Sequence, residues 1–174
     1  MSTDAYMFVE HQTPDGSWSL VEKRAILVRR QARKLYRAGP LNASRLRAGE
    51  AALLLESESL DPFRRYDQNR WFLERDYVLF GLLSGARDHR QPVYSVRGFP
   101  ADLSDLGRAQ LPLGLLAWDA YGTWLTTAEL RAVDTVYRAV TGFPQHSTAL
   151  FVDTIRPMLW AGPPDRVRAV MWFS

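Results

Sequence analysis

Short strand-like runs open and close the chain, and longer apolar stripes with helical spacing lie between them. Tyr6-Met7-Phe8-Val9-Glu10-His11 reads as a strand, Thr13-Pro14-Asp15-Gly16 supplies turn residues, and Trp18-Ser19-Leu20-Val21 alternates into a second strand, so the N-terminus is predicted to be a hairpin. From Ala25 the period changes: Val28, Ala32, Leu35 and Tyr36 fall on one helical face, arginines cover the rest, and Gly39-Pro40 stops the pattern. Ala51–Leu55 fits either a buried strand or a helical turn. Asp76 is a natural N-cap for a helix over 77–86 that is apolar nearly all round, with Gly81 and Gly85 leaving a small-residue ridge. Val93–Val96 is a short strand candidate, and 103–121 is expected to be short helical turns and loop, with Tyr121 and Trp124 in the loop before the next helix. Thr126 and Glu129 form an S/T-x-x-E capping box for a helix over 127–140, with Leu130, Val133, Val136 or Tyr137, and Val140 inward and Gly142 as its stop. A further helix is predicted over 147–160, kinked or restarted at Pro157. Val167-Arg168-Ala169-Val170-Met171-Trp172-Phe173 is a strand too apolar to be left uncovered, so it is expected to pair with the hairpin.

The elements sum to one α+β domain over 1–174, a small antiparallel sheet of N-terminal hairpin and C-terminal strand against three or four helices. At 174 residues, 47% hydrophobic and 24% charged, the composition is that of a globular chain and excludes wholesale disorder or collagen. No apolar run reaches the ~20 residues of a membrane span, and the N-terminus lacks the basic and apolar segments of a signal peptide. A soluble, cytoplasmic protein without a membrane partner is the expectation. With no Cys there is no thiol nucleophile, disulfide or Cys-ligated metal, and His11, His89 and His146 lack metal-ligand spacing, so neither metal nor cofactor is expected. Walker, G-x-G-x-x-G, H-E-x-x-H and G-x-S-x-G signatures are all missing.

Of the 22 basic residues 20 are Arg and two are Lys, yet the net charge is only +3. A GC-rich coding sequence produces such a ratio by itself. Guanidinium groups nevertheless suit bidentate capture of phosphate, while so small an excess charge argues against an extended nucleic-acid surface.

Glu74-Arg75-Asp76-Tyr77-Val78-Leu79-Phe80 through Arg87, Arg97-Gly98-Phe99-Pro100-Ala101-Asp102-Leu103-Ser104, and Thr123-Trp124-Leu125-Thr126 with Glu129-Leu130 occur in that order. Together they resemble a group of small phage and prophage proteins with the patterns R-N-Y-x-L-F-x-x-L-A-x-V-R, R-G-x-P-x-D-x-S and S-W-L-T-x-x-E-L. The resemblance covers the hairpin and 71–174, leaving 25–70 as a divergent stretch or insert. Asp76 replaces the pattern's Asn and Thr123 its Ser, and Asp119-Ala120-Tyr121 lacks the group's His. The resemblance implies an accessory protein in the host cytoplasm acting on host defence or metabolism, sequestration of a nucleotide signal being one form of that.

Three functions compete. The first is non-catalytic binding of a small phosphorylated, nucleotide-like ligand by Arg75, Arg87, Arg97, Asp102, Ser104, Tyr121, Trp124 and Thr126, with no catalytic residue. Such a ligand needs guanidinium for phosphate, a ring face for the base and a carboxylate or hydroxyl for the ribose. Each residue also has a structural reading: Arg75 or Arg97 paired with Asp76 or Asp102, and Trp124 in the core. The second is a phosphodiester hydrolase using Asp102, Asp119, Glu129 and His89. The third is a module that blocks a host factor through an exposed apolar or aromatic patch. Separately, a homo-oligomer with pockets between its subunits is an expectation.

Overall fold

The computed structural model describes residues 5–22, 71–73, 76–85, 91–111 and 122–173. The predicted helix from Ala25 and the ambiguous Ala51–Leu55 lie outside them. Strand β1 (Ala5–Gln12) pairs antiparallel with β2 (Trp18–Leu20), with β3 (Trp71–Leu73) and with β5 (Val167–Phe173), and β5 also pairs antiparallel with β4 (Gly122–Thr126). The path is β2-β1-β5-β4, with β3 joining β1 off that path. The hairpin thus pairs with the C-terminal strand as expected, and the α+β class is the observed one.

Every residue of β5 is buried because both faces of the sheet are covered. Val167, Ala169, Met171 and Phe173 join the larger core with Met7, Val9, Leu125 and the helices. On the opposite face Val170 and Trp172 pack with Phe8, Leu20, Leu103 and Leu111. The larger core is roofed by α1 (Tyr77–Ser84), α3 (Thr127–Thr141), a π-helical segment (Leu150–Ile155) and α4 (Arg156–Ala161), and the other face by the loop that carries α2 (Asp105–Arg108).

The helix ends follow the sequence signals. Asp76 accepts the Leu79 N–H at 3.0 Å, Ser104 accepts the Gly107 N–H at 2.9 Å, and Thr126 and Glu129 form the reciprocal capping box. Tyr137 donates its hydroxyl to Asp76 and so ties α3 to the start of α1; burial and that carboxylate hold the phenol protonated. Pro157 has no N–H for the carbonyl one turn back, and the ladder before it widens, with the Arg156 N–H reaching the carbonyl of Phe151. The helix expected over 147–160 is therefore a π-helical segment followed by an α-helical one.

Three expectations need correction. Residues 93–96 are not a strand: the Val93 N–H donates to the carbonyl of Leu82 instead of a ladder. Trp124 lies in strand β4, not in a loop. Val136 and Val140 are exposed, because α3 turns only its Leu130, Val133 and Tyr137 stripe inward.

Candidate functional site

The sheet's alternation sends Glu10 from β1, Arg168 from β5 and Thr126 from β4 to the face under α2, and register places Arg168 opposite both Glu10 and Thr126. Arg168 is 1% exposed and Glu10 fully buried. The guanidinium donates to Glu10 Oε2 at 2.9 and 2.7 Å and to Asp102 Oδ1 at 2.8 Å, and Ser104 donates its N–H and hydroxyl to Glu10 Oε1 at 2.9 and 2.6 Å. Both oxygens of the buried carboxylate are thereby satisfied, as a charge removed from water requires. Rings continue the network sideways. Arg168 lies over Trp18 at 3.9 Å and Trp124 at 5.6 Å, and Arg97 covers Trp124 at 4.6 Å. Arg97 ends the series in a two-pronged pair with Glu129, at 3.0 and 2.5 Å.

Of the eight sequence-predicted site residues, Arg97, Asp102, Ser104, Trp124 and Thr126 meet in this one network; Arg75, Arg87 and Tyr121 lie outside the described residues. Proximity does not make these five an anion receptor. Arg97 is paired, Ser104 and Thr126 cap helices, and Asp102 and Glu129 hold the guanidinium groups. Burial raises the pKa of both carboxyls, but Arg168 with Trp18 for Asp102, and Arg97 with Thr126 for Glu129, bring each below its ordinary value. A hollow of about 350 Å³ does open beside Trp18 and Ser104, yet its charged walls are Asp102 and Asp105. It repels phosphate.

A second hollow of about 350 Å³ lies against α3, at the start of the π-helical segment. Its floor is low because Ala128 and Ala132 stand there, and Arg131 and Arg138 flank them. Arg131 forms no ion pair among the described residues, whereas Arg138 rests Nε on Asp134 at 3.1 Å and keeps further donors. Asp134 is buried and also accepts the Thr148 hydroxyl, while Thr148 accepts the Phe151 N–H at 3.0 Å. That chain fixes the hollow's far wall to its floor. On this wall His146, in the left-handed region at φ 61°, sets its ring 4.2 Å from that of Phe151. Arg156 lies over the same Phe151 ring at 5.5 Å.

Comparison with known proteins adds no parentage. No family model matches the chain, and no curated protein or solved structure is detectably similar to it.

The residues of the α3 hollow were not singled out from sequence, although Arg131, Thr135 and Arg138 recur at i, i+4 and i+7, beside the buried stripe. His146 and Phe151 carried no signal, because their approach depends on the backbone between the helices. Among the described residues no group of His, Asp and Glu could hold a metal ion, and no helix is long and apolar enough to cross a membrane.

Proposed function

We propose that the chain binds a small phosphorylated, nucleotide-like ligand in the α3 hollow and releases it unchanged. The observation that carries this reading is Arg131, a guanidinium without an ion-pair partner among the described residues, beside a second arginine and a ring pair in one concavity. The volume is at the lower end of small-molecule sites. Guanidinium groups would take the phosphate and the His146–Phe151 rings an aromatic base. Binding rather than hydrolysis is favoured because Asp134, the carboxylate lining the hollow, already accepts from Thr148 and Arg138. The phage setting implied by the motifs would make such a ligand a host signal.

The test is to purify the protein from cells or incubate it with a nucleotide-containing extract, denature it by heat and identify the released small molecules by mass spectrometry. Recovery of an intact nucleotide-like compound that Arg131→Ala fails to retain is expected. A hydrolysed product would replace binding with catalysis, and no retained phosphorylated compound would remove the proposal.

A second reading is carried by Val136, Val140 and Phe143, exposed apolar side chains along and just beyond α3. Such a stripe suits contact with another protein or a second copy of the chain. Light scattering of the wild type and of Val140→Glu tests the second of these: a dimer lost in the variant supports self-association, and a monomer in both removes self-association.

A further inference from the structure

Resting on the binding reading above, we infer that the α3 hollow selects ligands carrying two separated anionic groups over ligands whose charge is gathered at one end. Arg131 and Arg138 are seven residues apart, so they share one face of α3 with their Cα atoms about 10 Å apart along its axis. Their side chains do not close that gap. Helical side chains lean toward the N-terminus, and Arg138 is held in that lean by Asp134, over the turn of Thr135. Arg131 lines the same hollow from about two turns nearer the N-terminus, so the ordinary lean of a helical side chain keeps its guanidinium apart from that of Arg138. Between them Thr135 and the buried, already bonded Asp134 line the hollow, and Ala128 and Ala132 add only methyl groups beside them.

The two positions differ in strength as well as place. Among the described residues Arg131 has no ion-pair partner, while Arg138 shares its charge with a buried carboxylate. The ring pair stands on the wall that Thr148 ties to Asp134, a residue between the two arginines in the chain. A ligand that satisfies all of these lies along α3, with one phosphate at Arg131, a second anionic group at Arg138, and its aromatic ring against His146 and Phe151. The class this describes is a nucleoside phosphorylated at two different positions, or two nucleotides joined through phosphate.

Titration calorimetry of the full chain with three probes at one ionic strength tests it: adenosine 5′-monophosphate, adenosine 5′-diphosphate and adenosine 3′,5′-bisphosphate. The diphosphate controls for added charge, since its two phosphates are adjacent. The bisphosphate is expected to bind at least tenfold tighter than the diphosphate, Arg131→Ala to erase that advantage, and Ala132→Leu to weaken all three by filling the floor. Circular dichroism of both variants should match the wild type, because Arg131 has no ion pair to lose among the described residues and Leu is a good helix former. Equal or stronger binding of the diphosphate, with binding still lost in Arg131→Ala, would overturn the two-anion claim and leave the site standing. Absence of binding by all three probes, or binding untouched by both variants, would overturn the site as well.

Discussion

Two clusters of arginine lie on opposite sides of the sheet and have opposite electrostatic fates. Under α2, Arg168 and Arg97 are matched by Glu10, Asp102 and Glu129, and the pairing fastens the loop after residue 91 to the sheet through Arg168 and to the start of α3 through Glu129. On α3, Arg131 is unmatched among the described residues and Arg138 only partly matched, in a hollow with rings on its wall. An arginine beside an aromatic ring describes both clusters. What separates them is whether a carboxylate already occupies the fork. A buried, satisfied guanidinium supports the fold, whereas an unsatisfied one facing a concavity remains available to a ligand.

Substitutions should accordingly fall into two groups, one moving stability and the other moving affinity. The largest stability loss belongs to Arg168→Ala. It leaves the fully buried Glu10 without its cation, and by analogy with other broken buried pairs about 3–5 kcal/mol should vanish from urea denaturation. Adding Glu10→Gln should recover part of that loss. Next comes Gly107→Ala, whose new methyl would run into the Glu10 carboxylate, the Ser104 hydroxyl and the Phe8 ring. Overpacking there should cost roughly 1–3 kcal/mol in the same assay. Thr126→Ala removes the N-cap of α3 and should cost about 1 kcal/mol.

The smallest effect is a pH dependence. Asp102 and Glu129 have depressed pKa values, so the stability they contribute is complete above the ordinary values of 3.8 and 4.5 and is lost as pH falls through the depressed ones. Melting temperature followed downward from pH 6 should therefore fall below about pH 4.5, and Arg97→Ala should flatten the part due to Glu129. A profile unchanged by Arg97→Ala would remove that ion pair from the account.

The frame of this fold was legible where the cause is local. Asp76, Thr126 with Glu129, and Gly142 mark helix ends through bonds to their own backbone, and the apolar run 167–173 demanded a covered central strand. Misreadings arose where long-range contacts decide. Gly122–Thr126 is a five-residue strand abutting a strong capping signal, and only pairing with β5 draws Trp124 out of the expected loop. Val93–Val96 has strand-forming residues, yet Val93 hydrogen-bonds to Leu82 and the Arg97 N–H to the Thr123 hydroxyl. The site was harder still. Arg97, Trp124 and their neighbours were recognisable as a group, but sequence could not show that Glu129 and Arg168 would complete it. Glu10 and Arg168 did leave a trace, each a single charge within an apolar strand and therefore in need of the other. The α3 hollow left almost none, since it depends on the backbone at His146 and the widened turn before Pro157.

Affinity for adenosine 3′,5′-bisphosphate, measured in Arg131→Ala and Arg97→Ala side by side, bears most directly on the division between the two clusters. Loss of at least tenfold in Arg131→Ala with less than twofold change in Arg97→Ala is expected, a charge-assisted contact being worth roughly 1.5–3 kcal/mol. The reverse order, with Arg97→Ala weakened and Arg131→Ala unaffected, would contradict it and return the ligand to the face under α2.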